Sequence, residues 1–156
     1  MTHMHKQRTF VFDNYTQLVD EGVYSLVSAI FKLGLRTINS CEGREVELSE
    51  FKGLNNYDRY QLLSNTRASI LLDTSENIEE FIQLFIRYSM DHPRTYSLWT
   101  LTFDQSSTFP GQVLFRLPKN ELEGFAWYIH DHITHAESKK GALTWLPKLP
   151  KRNPNT

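Results

Sequence analysis

Apolar residues recur along this chain with two periods, and the change from one period to the other predicts its elements. Spacings of three and four residues predict helices, whereas alternation and short apolar runs predict strands. Helices are predicted over Tyr15 to Leu33, Ile78 to Met90 and Glu121 to Ala136, with a short one around Tyr57 to Leu63. Strands are predicted over Thr9 to Phe12, Leu35 to Asn39, Arg67 to Asp73, Tyr96 to Phe103 and Gln112 to Leu117.

Strands and helices mix in this order without strict alternation. Such an order favours an α+β fold, in which helices pack on one face of a largely antiparallel sheet. A ferredoxin-like or related split architecture is the first choice. We expect Asp13 or Asn14 to cap the first helix, Gly34 to end it, and Thr74 or Ser75 to cap the second.

The organisation of the chain is that of one domain with a polar insertion and a tail. Residues 1–146 are expected to form the single α+β domain, and the chain after Gly141 is basic and expected to be extended, with residues 147–156 set apart as a tail. Glu45 to Thr66 is polar and aromatic and is longer than an ordinary connection, so it is predicted to be a functional or partner-facing insertion.

The composition is globular and the charge is close to neutral. The 156 residues are 40% hydrophobic and 22% charged, enough to bury a core, and the net charge is −1. A near-neutral chain lacks the basic field that binds long nucleic acid without regard to sequence, so no such partner is expected. One cysteine excludes an intramolecular disulfide and fits a reducing cytoplasm. No apolar run nears the roughly 20 residues of a membrane span, and the start of the chain lacks a signal peptide's apolar stretch, so a cytoplasmic protein without a membrane partner is expected.

The segment from Arg36 to Arg44 is the most informative stretch of the chain. A predicted strand leads there into small polar residues, the only cysteine and a glycine. Glycine at φ > 0 allows backbone N–H groups to converge on an anion, and arginine presents a fork that suits phosphate or carboxylate. We therefore expect an anionic ligand over Ser40 to Gly43, in contact with Arg44. An alternative of about equal weight is that the two arginines are surface charges paired with Glu42 or Glu45.

The pattern Thr37-x-x-Ser40-Cys41-Glu42-Gly43-Arg44 resembles the Thr-x-Ser-Ser-Cys-Ser-Gly-Arg signature of the tRNA wybutosine-synthesis methyltransferase family. It is also similar to Ser-Cys-Gln-Gly segments of small uncharacterised bacterial and phage proteins. The resemblance covers about nine residues and the preceding helix. It implies an S-adenosylmethionine-dependent tRNA-modifying methyltransferase.

The remaining candidate residues each have a plainer interpretation. Cys41 has no local histidine, so a small buried apolar residue at a strand end is favoured over a nucleophile. His130, His132 and His135 fit the polar end of an amphipathic helix better than a zinc site, and His3 and His5 fit a disordered start. Tyr57, Tyr60 and Trp145 lie in irregular polar segments and are better placed to stack a base than Trp99, whose strand face predicts burial.

Three functional hypotheses remain open. The first is non-catalytic binding, or sequestration, of a small anionic nucleotide-like ligand, a role that would suit a phage counter-defence protein. The second is the methyltransferase, and the third is a protein–protein interaction module. No catalytic residue, metal ligand or cofactor is predicted, and a homo-oligomer stays open. The predicted ligand-binding residues are Arg36, Thr37, Ser40, Cys41, Glu42, Gly43, Arg44, Tyr57 and Tyr60.

Overall fold

Six strands and four α-helices make up the described part of the chain. The structure is a computed structural model that describes residues 5–73, 78–104 and 112–145, without the side chains of residues 104 and 137–145. The strands are β1 (Gln7–Phe12), β2 (Tyr15–Asp20), β3 (Arg36–Cys41), β4 (Ala68–Asp73), β5 (Thr100–Asp104) and β6 (Gln112–Leu117). The helices are α1 (Tyr24–Lys32), α2 (Asn56–Asn65), α3 (Ile78–Met90) and α4 (Leu122–Trp145).

The main sheet has four strands in the order β3-β4-β6-β5, and every neighbouring pair is antiparallel. Alternate residues of the central strands β4 and β6 point to one side and are buried there, among them Ile70, Leu72 and Phe115. Aromatic residues of the helices pack on this side: the ring of Phe81 in α3 lies 4.9 Å from that of Phe115, and the ring of Phe125 in α4 lies 5.9 Å from that of Phe81. The predicted α+β fold, with helices on one face of an antiparallel sheet, is confirmed.

The prediction of one helix over residues 15–33 is wrong in its first third. Residues 15–20 form strand β2, which pairs with β1 in a two-stranded antiparallel hairpin, and the helix begins only at Tyr24. Asp13 has φ 51° and lies in the two-residue turn of the hairpin, so Asp13 and Asn14 turn the chain rather than cap a helix. The β-branched and aromatic residues of this segment favour a strand once a partner strand is available.

Other boundaries shift by a few residues. Cys41 belongs to β3, which therefore continues two residues further than predicted. Residues 96–98 form a 3-10 turn, so β5 begins at Thr100. The last helix extends to Trp145, so the chain is not extended directly after Gly141. The predicted cap at Thr74 or Ser75 and the tail 147–156 lie outside the described residues.

The β1–β2 hairpin lies beside β3 and is joined to it by side chains. Gln17 of β2 accepts a hydrogen bond from Thr37 Oγ1 at 2.9 Å and donates one to the carbonyl oxygen of Ile38 at 2.9 Å. The hydroxyl of Tyr15 donates to the carbonyl oxygen of Thr37 at 3.1 Å. The hairpin thereby brings the end of β2 next to the end of β3. Within the described residues, no helix combines the length and the hydropathy of a membrane span.

Candidate functional site

The residues of the predicted binding segment are spread along one strand and the turn that follows it. Arg36 opens β3 and lies opposite Asp73, whereas Cys41 closes the strand. At about 3.3 Å per residue, the two ends stand roughly 16 Å apart. Thr37 is fully buried, and its hydroxyl is bonded to Gln17. Arg36 and Arg44 therefore do not converge on one point.

Gly43 has the backbone conformation that the sequence predicts. Its φ is +72°, and a Cβ at this position would meet the carbonyl oxygen of Thr66 and stand 2.7 Å from the nitrogen of Ala68. The next residue fixes the contact, because Arg44 N–H donates to the carbonyl oxygen of Thr66 at 3.0 Å. The glycine allows the turn after β3 to pack directly on the start of β4.

The side chain of Arg44 binds a carboxylate of its own chain. Its Nη1 lies 2.8 Å and 3.0 Å from the two oxygens of Glu50. Glu50 also accepts a hydrogen bond from the backbone N–H of Glu47 at 2.8 Å, as half of a capping box. This bond and, after it, the Arg44 guanidinium lower the pKa of Glu50. The expected surface pair of Arg44 thus exists, with Glu50 rather than Glu42 or Glu45 as the partner.

Glu42 points inward instead of toward solvent. Its Oε1 lies 2.9 Å from Nδ1 of His5, and its Oε2 lies 3.4 Å from Nζ of Lys119. A Cβ on Gly22 would overlap this carboxylate, so the glycine leaves room for it. His5 is therefore held by Glu42 directly before β1 and does not belong to a disordered start.

Cys41 differs from its predicted surroundings in two ways. It is exposed rather than buried, and His5, which is distant in the sequence, lies near it. One donor atom each of Cys41, His5 and Asp20 lies within 4.8 Å of the other two. No local sequence motif predicts this cluster, because its members come from three separate segments that the hairpin brings together.

The other predicted residues lie elsewhere. Tyr57 is exposed on α2, and the hydroxyl of Tyr60 donates to the carbonyl oxygen of Ser97 at 3.4 Å. His132 pairs with Glu80 of α3 at 2.7 Å, as expected for the polar side of an amphipathic helix. Trp99 is buried as predicted, but it lies between the 3-10 turn and β5 and not within a strand.

The sheet face opposite the helices carries a groove that the sequence analysis missed. Its floor is a row of paired residues across all four strands, and the central members of this row are Leu71 and Leu114. Phe103, which is 55% exposed on the edge strand, borders the groove, but it pairs with the buried Val113 and therefore belongs to the helix side of the sheet. The groove has a volume of about 460 Å³ and is lined by Asn39, Ser40, Cys41, Ser69, Leu71, Thr102, Phe103 and Leu114. The alternation in β4 and β6 is the signal that could have indicated this second face.

Two arginines stand at one end of the groove. Arg116 pairs with Ser69 and Thr100 and therefore lies on the open face, about 7 Å along β6 from Leu114. Arg67 donates to the carbonyl oxygens of Ser64 and Leu98 and to Thr100 Oγ1 at 2.7, 3.1 and 3.0 Å. Burial and, after it, the positive charge of Arg116 lower the pKa of Arg67. Among the described residues no carboxylate pairs with either guanidinium.

Comparison of the chain with protein-family models, with curated proteins and with solved structures found no match. The resemblance of residues 37–44 to the wybutosine-synthesis methyltransferases stays a prediction.

Proposed function

We propose that the protein binds a small anionic nucleotide-like ligand on the open face of its sheet, without transforming it. The observation that carries the proposal is the position of Arg116 beside an apolar groove. The groove, with a volume of about 460 Å³, has room for a purine-sized ring over the floor of Leu71 and Leu114. A phosphate attached to that ring would then reach the guanidinium of Arg116.

The physical chemistry of this face favours an anion. Arg116 repels the neighbouring Arg67, and no described carboxylate neutralises the pair. A phosphate would relieve that repulsion and accept the two-pronged hydrogen bonds that guanidinium offers. Apolar surface of a base that is buried against Leu71 and Leu114 would add roughly 25 cal/mol per Å².

The proposed site in the groove differs from the site that the sequence predicts in the turn after β3. Arg44 is already neutralised by Glu50, and Glu42 by Lys119, so an anion over Ser40 to Gly43 would compete with carboxylates. Ser40 and Cys41 line the groove from the β3 side, and they keep a place in the proposed site. Thr37 and Gly43 have architectural roles.

The proposal is tested by thermal unfolding of the full chain with a panel of linear and cyclic mononucleotides, cyclic dinucleotides and S-adenosylmethionine. A ligand present at ten times its Kd stabilises the fold by about 1.4 kcal/mol. We expect at least one nucleotide to stabilise the protein. We also expect that nucleotide to be chemically unchanged after prolonged incubation with the protein. Conversion of the ligand would contradict non-catalytic binding, and stabilisation by S-adenosylmethionine alone would favour the methyltransferase.

Two pairs of variants locate the site. We expect Arg116→Ala to weaken binding by about tenfold or more, because a charge-assisted contact is worth about 1.5 kcal/mol or more, and Leu114→Ala to weaken binding because it removes part of the apolar floor. Arg87→Ala on α3 and Trp127→Ala on α4 are the matched controls, since both side chains are exposed on helices that pack on the opposite side of the sheet. Equal losses in the controls would refute the location.

A further inference from the structure

Three side chains that commonly bind metal ions converge where the β1–β2 hairpin meets β3. His5 precedes β1, Asp20 ends β2 and Cys41 ends β3. One donor atom of each lies within 4.8 Å of the other two. In tetrahedral zinc sites, with Zn–S near 2.3 Å and Zn–N or Zn–O near 2.0–2.1 Å, ligand atoms stand about 3.3–3.6 Å apart. The donor atoms, at most 4.8 Å apart, would have to approach one another by up to about 1.5 Å to reach that geometry.

The carboxylate of Asp20 forms no ion pair with a lysine or arginine among the described residues. The residue is 6% exposed, and its oxygens accept hydrogen bonds from Glu42 N–H at 3.0 Å and from Gln7 Nε2 at 3.5 Å, both of which are neutral donors. A buried carboxylate is costly unless a positive charge stands nearby, so a metal ion at this point would offset its desolvation.

The imidazole of His5 is already oriented for coordination. Its Nδ1 is bonded to Glu42 Oε1 at 2.9 Å, which leaves Nε2 as the ligand nitrogen. Metal-binding histidines characteristically use their second nitrogen in this way, with a carboxylate that fixes the ring and raises its basicity. Glu42 is itself held by Lys119 at 3.4 Å and fits over Gly22, so the supporting layer is built from the fold.

We propose that His5, Asp20 and Cys41 bind a divalent transition-metal ion of the zinc class, with Glu42 as the residue that positions His5. The donor set of one nitrogen, one oxygen and one sulfur suits Zn²⁺ or Co²⁺, whereas Mg²⁺ and Ca²⁺ prefer oxygen alone. Three protein ligands leave the fourth tetrahedral position to water. This inference does not depend on the nucleotide site, although Cys41 also borders the groove.

The test is titration of the chelator-treated full chain with Co²⁺ and with Zn²⁺. We expect one equivalent of Co²⁺ to produce a thiolate-to-metal charge-transfer band together with the visible absorption of a tetrahedral ion, and Zn²⁺ to displace it. Cys41→Ser should abolish the charge-transfer band, and His5→Gln should weaken binding at least tenfold while the protein stays folded. Asp20→Asn is a third variant, to be interpreted only if its circular dichroism matches that of the parent.

His135→Gln is the matched control, because that histidine lies on the surface of α4 and pairs only with Asp131. Its Co²⁺ spectrum and affinity should equal those of the parent. Glu42→Gln should weaken binding less than loss of a ligand does, as expected of a positioning residue. Absence of a charge-transfer band in the parent, or unchanged affinity in both Cys41→Ser and His5→Gln, would overturn the proposal. Neither result would affect the nucleotide titrations.

Discussion

At the scale of single residues, the segment after β3 shows how a motif that suggests ligand binding can serve the architecture. Gly43 takes a left-handed conformation, and its missing side chain lets the turn touch the backbone of residues 66–68. Arg44 then adds a backbone bond to Thr66 and a side-chain bond to Glu50. These contacts anchor the long connection between β3 and β4.

Gly43→Ala should destabilise the protein by about 2 kcal/mol or more, because the left-handed conformation costs 1–2 kcal/mol in a residue with a Cβ and the new methyl group would also overlap backbone atoms. Gly53→Ala is a matched control: its φ is +80°, but a Cβ there meets nothing within 4 Å. It should cost only the conformational part. Urea unfolding measures both, and equal losses would show that the contact with residues 66–68 is unimportant.

The sequence predicted the conformation of Gly43 but not the partner of Arg44. A glycine between polar residues at the end of a strand has few other reasons to be there, so the inference is local. Glu50 is six residues away and reaches Arg44 only because residues 48–51 form a 3-10 turn. The cluster of His5, Asp20 and Cys41 is still less local, since no spacing in the sequence relates its members.

At the scale of elements, the hairpin docks on the main sheet by side-chain contacts instead of a strand ladder. Gln17 uses both ends of its amide, one on the hydroxyl of Thr37 and one on the backbone of Ile38. Because Thr37 is fully buried, its hydroxyl depends on that partner. The periodicity of residues 15–33 could not reveal this arrangement, since apolar positions 18 and 19 suit a helix as well as a strand.

Gln17→Ala should cost about 1–3 kcal/mol, because it leaves the buried hydroxyl of Thr37 without its acceptor. In a Thr37→Val background the same change should cost markedly less, since no buried hydroxyl remains to be satisfied. A double-mutant cycle by urea unfolding gives the coupling between the two side chains. Additive effects would show that the hairpin is held by its other contacts.

The packing of α1 against α4 predicts a pH dependence. Burial and, after it, the positive charge of Lys32 on α1 lower the pKa of His130 on α4 below its ordinary value of 6.5. The unfolded chain then takes up a proton at this residue at higher pH than the native protein does. The contribution of His130 to stability is therefore present above pH 6.5 and is lost as the pH falls below that value.

His130→Gln should make the stability of the protein less sensitive to pH below 6.5. The measurement is the difference in unfolding free energy between parent and variant at a series of pH values from 7.5 to 5. His135→Gln is the control, as this side chain is 74% exposed and lies beside Asp131. A variant that loses stability on acidification as steeply as the parent would contradict the assignment.

At the scale of the whole molecule, the two sides of the main sheet differ: one is covered by helices and the other is open. Helices α1, α3 and α4 cover the apolar core on one side, in which the ring of Phe81 packs against those of Phe115 and Phe125. The other side carries the groove, whose floor is a row of polar and apolar residues across the four strands, and two arginines lie at one end of it. Binary patterning predicts the first side well, whereas the groove depends on the register of four strands, which the sequence alone did not specify.

The repulsion between Arg116 and Arg67 leads to a prediction that separates stability from binding. Arg116→Gln removes one of two like charges, so the free protein should become slightly more stable, by about 0.5 kcal/mol, at low ionic strength. The gain should fade in 1 M salt, where the Debye length is about 3 Å. The same variant should lose the stabilisation that a nucleotide gives to the parent.

Thermal unfolding at two salt concentrations, with and without the nucleotide found in the panel, measures both effects. Lower stability of the free variant at low salt would show that Arg116 contributes more to the fold than it costs, and the open face would then lack the unrelieved positive charge on which the proposed anion site rests.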